Sequence, residues 1–383
     1  MVWHSGRTEP PAIVDEHDER RNVTKLNELY QVGQSIWYDF IRRDMLTGPG
    51  LADLVEDGVK GVTSNPSIFE KAIAGSDLYD AQLATVADLD PASAFEVLAI
   101  DDIQRAADIL SPVYADTDGG DGYVSLEVSP MLAHDTAGTI ADAMRLWASV
   151  DRPNLMVKVP ATAEGIPAIE ELTATGININ ATLMFSLDDY EAVAMAYVNG
   201  AERAADPGRL ASVASFFVSR VDAATDAALE AVGTEHALEL RGKAAVANAK
   251  LAYRRYQQIF EGSRFARLAS RGTSPQRVLW ASTSTKNPTY NDVMYVEELI
   301  GPNTVNTAPP NTIEAFLDHG VVTAGRLTEG VDEAANLIAS FPEIGVDFGA
   351  ITAQLQVDGV AAFATAFKDL LAAISAKQAG ANR

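Results

Sequence analysis

Lys158 stands alone in an apolar run, Leu155-Met156-Val157-Lys158-Val159-Pro160. A charged lysine buried there carries a large desolvation cost, so it must find a partner or give up its proton. A free amine in a desolvated pocket is what a Schiff-base nucleophile requires. The plainer alternative is a buried stem whose ammonium reaches water at the strand end. Two carboxylates, Asp39 and Glu127, follow or close other strand-like runs, Ser-Ile-Trp-Tyr and Tyr-Val-Ser-Leu. With a neutral amine they form a coherent proton inventory. A carboxylate takes the proton of a substrate hydroxyl as a carbon–carbon bond breaks, and a lysine imine accepts the electrons.

Further polar residues occupy equivalent heights on other runs. Asn65 follows Gly-Val-Thr-Ser. Asn180 and Thr182 are two apart and share a strand face. Ser215 and Arg220 flank Phe216-Phe217-Val218, and Ser284 and Lys286 follow Leu-Trp-Ala-Ser-Thr. Each alone has an ordinary reading: Asp39 a helix cap, Asn65 a turn before Pro66, Arg220 a surface ion pair. Gathered around one interior lysine, they form a constellation, with Arg220 and Lys286 able to clamp a phosphate and Ser284 to donate to it. The five histidines, His4, His17, His134, His236 and His319, are scattered without metal-ligand spacing, so no metal is expected. Lys243 and Lys250 share one helix face and read as a solvated surface.

The elements that must position these residues alternate between short β-branched runs and longer alanine-rich amphipathic stretches. Expected strands are Ser35–Tyr38, Gly61–Ser64, Tyr123–Val128, Leu155–Val159, Ile177–Leu183, Ser212–Val218, Val278–Ser282 and Thr304–Thr307. Eight strands with helices between them imply an α/β fold, a closed parallel (β/α)8 TIM barrel. A doubly wound sheet is the competitor, but no glycine-rich dinucleotide fingerprint follows an early strand. In a barrel the alternation of side chains turns Lys158 and Met156 inward and Leu155, Val157 and Val159 toward the helix layer. Asp135-Thr136 caps a helix to about Val150, and Ala163–Thr175 stops at Gly176. The stretch between about Ala74 and Leu110 holds room for two helices. Beyond Gly320, Asp332–Ser340 and Ala350–Ala376 read as the last barrel helix and a C-terminal helical extension, all within one domain from residue 22 to 383.

Composition narrows the function class. The chain has 383 residues, 47% hydrophobic and 21% charged, with a formal net charge of -24 and no cysteine. Such an acidic surface disfavours nucleic acid as a partner, while a phosphorylated small molecule needs only one cationic pocket. Disulfides and thiolate metal sites are excluded. No apolar run approaches the roughly 20 residues needed to span a bilayer, so no membrane association is expected. Residues 1–21 are polar and read as a disordered leader rather than a signal peptide, which points to the cytoplasm. The oligomeric state stays open between monomer and homodimer.

Taken together the segments resemble transaldolase from Leu26 to about Gly320. Gly61–Phe69 (Gly-Val-Thr-Ser-Asn-Pro-Ser-Ile-Phe) is similar to the family's early Thr-x-Asn-Pro-Ser signature. Asn154–Thr162 (Asn-Leu-Met-Val-Lys-Val-Pro-Ala-Thr) resembles its lysine segment, and Gly176–Ser186 the strand that follows. Length and the Thr-Lys-Asn-Pro form after the seventh strand look like a longer bacterial branch. The resemblance implies that Lys158 forms the imine, that Asp39 is the acid/base for the cleaved hydroxyl, and that Glu127 and Thr182 hold a relaying water. It implies that Asn65, Asn180 and Ser215 contact the dihydroxyacetone fragment and that Arg220, Ser284 and Lys286 bind the sugar phosphate, with no cofactor. In the best-known branch an arginine takes the place of Lys286, and Pro-Phe and Gly-Arg forms replace Phe216-Phe217 and Ser219-Arg220. The implied reaction moves dihydroxyacetone from sedoheptulose 7-phosphate to glyceraldehyde 3-phosphate, giving erythrose 4-phosphate and fructose 6-phosphate in the non-oxidative pentose phosphate pathway. Fructose-6-phosphate aldolases resemble transaldolase but carry glutamine where Glu127 stands and tyrosine where Phe217 stands. A non-catalytic sugar-phosphate-binding barrel would need neither the lysine nor the carboxylates.

Overall fold

A computed structural model describes residues 23–381; the expected leader at 1–21, with His4 and His17, lies outside them. The strands are β1 (Gln34–Tyr38), β2 (Gly61–Val62), β3 (Tyr123–Glu127), β4 (Leu155–Pro160), β5 (Ile179–Met184), β6 (Ser212–Phe217), β7 (Arg277–Ala281) and β8 (Thr304–Ala308). They close in sequence order into one barrel, every neighbouring pair parallel. Each expected strand segment overlaps one of them, with ends that differ by at most two residues. The strands β4, β5 and β6 are buried at every position, as parallel strands covered on both faces must be. β2 is shorter than expected because Asn65 already caps the helix Pro66–Ala74. Gly61 is required there: a Cβ would stand 2.6 Å from Cδ2 of the Trp37 ring.

The helix punctuation read from sequence is present. Asp135 caps Thr136–Val150 by accepting from the Gly138 amide, and Gly176, at φ 94, ends the turn after Gly165–Ala174. The segment between the second and third strands contains Asp80–Thr85 and Pro91–Asp116. Three expectations need correction. The last barrel helix is Pro310–His319, directly after β8, and not Asp332–Ser340. Pro310 opens this helix, since proline fits the first helical turn, where its missing N–H has no partner to lose. The helix Val331–Ser340 instead packs outside the barrel, placing Ala334 against Ala247 and Leu251 of the helix Ala244–Phe260. Lys250 of that helix does not face open solvent: its Nζ donates to the Glu329 carbonyl at 2.9 Å and lies 3.8 Å from Glu298.

The third correction concerns the C-terminal helix, Phe348–Ala381. By length and composition its Phe348–Gly380 portion is long and apolar enough to cross a membrane, against the expectation of no such run. Alanine supplies much of that hydropathy. The helix lies against the barrel and buries Phe363, Leu370 and Ile374 in the main core.

The floor of the barrel is closed by a buried ionic network. Arg277, first residue of β7, holds Asp121 at 3.0 Å, and Asp121 also accepts from Trp37 Nε1 (2.9 Å) and Ser35 Oγ (2.6 Å) of β1. The network ties opposite sides of the barrel together, and every oxygen of Asp121 is used. Removing the cation leaves a carboxylate buried without a counter-charge. Arg277→Met is therefore expected to lower the unfolding free energy by about 3–5 kcal/mol. Urea denaturation checks this, and an unchanged midpoint would contradict it.

Candidate active site

The parallel register sets the site's geometry. Glu127 on β3, Lys158 on β4 and Asn180 on β5 are direct register partners, so their side chains fall in one row. Lys158 is 5% exposed, and its Nζ donates to the Ser64 carbonyl at 3.1 Å. Glu127 Oε2 lies 3.7 Å away, within ion-pair reach but beyond a hydrogen bond. Burial pushes the Glu127 carboxyl up to about 7, with the Lys158 charge opposing that rise. A carboxyl titrating there both donates and accepts protons near neutrality.

Above this row, at the C-terminal ends of the strands, a cavity of about 440 Å³ opens. Active sites of this architecture occupy that end, and the volume suits a small metabolite. Lys158 reaches its floor. Of the other residues singled out in the sequence, Asp39, Asn65, Ser215, Phe217, Arg220, Ser284 and Lys286 also line it. Glu127, Asn180 and Thr182 do not border the cavity. Asn180 is fully buried, accepting from Ser215 Oγ at 2.7 Å and donating to Ser125 Oγ at 2.9 Å. Thr182 is paired in register with Pro160, two residues above Lys158. Among the described residues Glu127 Oε2 and Thr182 Oγ1 are buried polar atoms without a hydrogen-bond partner.

Asp39 accepts a 2.6 Å hydrogen bond from Thr63 Oγ1. Burial raises its carboxyl above the ordinary aspartate value, while Lys158, Thr63, Lys286 and Arg220 pull it back down. The mouth is cationic. Lys286 Nζ donates to Ser284 Oγ at 2.8 Å, and the Arg220 guanidinium lies 5.3 Å from the centre of the Phe217 ring. Desolvation depresses both groups, and Arg220 depresses Lys286 further. Two cations held near each other in a half-dry pocket form a site for a dianion.

Several participants escaped the sequence reading. Thr63 fixes Asp39 and also meets Thr307 of β8 at 2.6 Å; its signal was the two-residue period that puts it on the face of Asn65. Asn65 serves two purposes, accepting from the Ile68 amide as a helix cap while lining the cavity. Lys71 adds a third cation at the mouth, one helical turn after Ser67, which lines the same wall. Phe363 arrives from the C-terminal helix, and nothing in its neighbourhood announces it. Among the described residues no cluster of His, Asp and Glu is arranged to hold a metal ion.

The family model described as Transaldolase/Fructose-6-phosphate aldolase matches residues 36–374. The chain belongs to the transaldolase family. The transaldolase of Thiobacillus denitrificans is 51% identical over 360 residues, covering 92% of this chain and 99% of that protein. The transaldolase of Frankia alni is 48% identical over 357 residues, 91% of this chain and 96% of its own. Transaldolase 2 of Nostoc punctiforme is 46% identical over 374 residues, 93% and 98% of the respective chains. The resemblance read from three motifs thus extends over nearly the whole chain, including the C-terminal helix. It is an enzyme of the transaldolase type.

The raised Glu127 carboxyl has a consequence for stability. Between about pH 4.5 and 7 the folded chain retains a proton on Glu127 that the unfolded chain has released. Stability is therefore greatest below that window and falls as pH rises through it; Asp39, shifted in the same direction, adds to the slope. Relative to Glu127→Gln, the wild type is expected to lose on the order of 2 kcal/mol between pH 5 and pH 8. Urea titrations at the two pH values measure it, and a pH-independent difference would refute the buried-carboxyl account.

Proposed function

We propose that the chain transfers a dihydroxyacetone unit from sedoheptulose 7-phosphate to glyceraldehyde 3-phosphate through an imine on Lys158. The observation that carries this reading is Lys158 Nζ at the floor of the cavity, 3.7 Å from Glu127, with Asp39 on the cavity wall. The free amine attacks the C2 carbonyl of the ketose, and loss of water gives the imine. A water held between Glu127 and Thr182 relays protons in that step, which accounts for the two unpartnered oxygens. Asp39 takes the proton of the C4 hydroxyl, the C3–C4 bond breaks and its electrons pass into the imine. Erythrose 4-phosphate leaves, and an enamine remains on Lys158. Its C3 attacks the aldehyde carbon of glyceraldehyde 3-phosphate, and Asp39 returns the proton to the new C4 oxygen. Hydrolysis of the imine releases fructose 6-phosphate and the free amine.

Asn65, Asn180 and Ser215 orient the three-carbon unit in this scheme. Asn180 acts within the Ser125–Asn180–Ser215 chain, which fixes its amide orientation. Arg220, Ser284, Lys286 and Lys71 receive the phosphate. A lysine offers a point charge where an arginine offers a fork, so the added Lys71 supplies charge without the bidentate geometry.

Borohydride added during incubation with fructose 6-phosphate is expected to trap a three-carbon adduct on Lys158, read by peptide mass spectrometry. Equal trapping in Lys158→Ala would remove the mechanism. Turnover of fructose 6-phosphate is expected to require erythrose 4-phosphate; acceptor-independent turnover at the same rate would favour the aldolase reading. Loss of one charge-assisted phosphate contact in Lys286→Ala should raise KM for phosphorylated acceptors by about tenfold or more, while leaving turnover of unphosphorylated glyceraldehyde little changed. A proportional loss with both acceptors would argue against a phosphate role.

A further inference from the structure

The C-terminal helix Phe348–Ala381 is tied to the chemical end of the barrel. Gln356 Nε2 donates to the carbonyls of Ala161 (3.0 Å) and Leu183 (3.3 Å), the ends of β4 and β5. Leu183 has φ 63, a conformation that a leucine adopts only under constraint. Its side chain lies directly beneath Gly359, where a Cβ would come within 2.9 Å of Leu183 Cδ2. The close approach brings the helix down over the mouth. Further along, Phe367 meets Phe95 edge-on at 5.8 Å, and Lys377 binds Asp80 at 2.6 Å and the Ser76 carbonyl at 2.7 Å. The helix is thus fastened on both sides of the cavity it crosses.

Between these fastenings Phe363 is 4% exposed and lines the cavity, its ring centre 5.9 Å from Lys158 Nζ. The polar neighbours of the amine are the Ser64 carbonyl at 3.1 Å and the Glu127 carboxyl at 3.7 Å. Phe363 is the apolar ring of the cavity wall that stands over the amine.

We propose that Phe363 keeps water from the lysine-bound three-carbon intermediate and thereby sets the partition between transfer to an aldehyde and release of free dihydroxyacetone. This rests on the imine reading given above. The competing path is defined: the enamine carbon takes a proton from water or from Asp39, and a water molecule then hydrolyses the imine, freeing dihydroxyacetone and the amine. The hydrolysis needs water at Lys158 while only the three-carbon unit is bound, and a ring packed beside the amine restricts its entry at that stage. The barrel residues carry out bond cleavage, and the added helix decides what the intermediate meets next.

The test compares wild type, Phe363→Ala and Phe363→Leu, each incubated with fructose 6-phosphate with and without erythrose 4-phosphate. Free dihydroxyacetone and sedoheptulose 7-phosphate are quantified together, and far-ultraviolet circular dichroism and thermal melting establish folding. The alanine variant is expected to raise the ratio of dihydroxyacetone released to ketose formed about tenfold, the change one aromatic contact supports. Leucine, which keeps apolar bulk, should restore most of the wild-type ratio. A purely structural role would lower both products in proportion and leave the ratio fixed. An unchanged ratio in the alanine variant, or leakage through leucine equal to that through alanine, would overturn the proposal. Should the alanine variant fail to fold, Phe363→Val replaces it, with leakage graded by side-chain volume. Borohydride trapping on wild type separates the two ideas. No Lys158 adduct defeats the imine reading itself, whereas a wild-type adduct with an unchanged partition defeats only the role of Phe363.

Discussion

The amine of Lys158 must sit where water does not, and the rest of the barrel answers that demand. An ammonium inside an apolar barrel is unstable unless nearby groups accept its protons or share its charge. Here the Ser64 carbonyl accepts at 3.1 Å, and Glu127 stands at 3.7 Å without closing a tight pair. A fully formed buried ion pair would satisfy the charge and, in the proposed reaction, quench the nucleophile. The looser arrangement leaves the two groups only partly compensated. It also explains why Glu127 lies above the ordinary carboxylate range: desolvation acts at full strength, and the neighbouring lysine compensates only in part.

Such balance requires side chains held in place by more than their own rotamers. Parallel register does most of this, setting Glu127, Lys158 and Asn180 side by side. Small hydroxyls do the rest. Thr63 bridges Asp39, just past β1, and Thr307 on β8, and Ser125 and Ser215 hold the two ends of the Asn180 amide. At the opposite end, the Asp121–Arg277 pair joins β7 to the segment just before β3 across the barrel floor.

The legible parts of the sequence were those governed by local periodicity. Eight short apolar runs announced eight strands, and the two-residue alternation in Leu155–Val159 turned Lys158 inward. What escaped has a common physical cause. Thr63 and Ser125 matter through cross-strand partners, and a buried hydroxyl has no signature of its own. Arg277 and Asp121 sit at strand beginnings, where charged residues are ordinary. Lys71 lies on a helix whose cavity-facing side is defined only by tertiary packing. The last barrel helix, Pro310–His319, is short and was overlooked in favour of Asp332–Ser340. Phe363 belongs to a helix rich in alanine, whose pattern does not say which face meets the barrel.

The chain's net charge is -24 and its substrates in the proposed reaction are anions, so the long-range field repels what the site must bind. At physiological ionic strength screening limits that repulsion to about 8 Å. Recognition must then be local, made by groups within one Debye length of the phosphate. Arg220, Lys286 and Lys71 meet this requirement at the cavity mouth, and Asp39 beneath them reaches both Arg220 and Lys286 through its own field. Their mutual repulsion and partial burial cost stability in the empty site. In the proposed reaction a phosphate dianion would relieve that repulsion, so the same electrostatic cost would favour the complex. Under the proposed reaction the mouth and Lys158 share one principle: polar surroundings left incomplete for the substrate to complete.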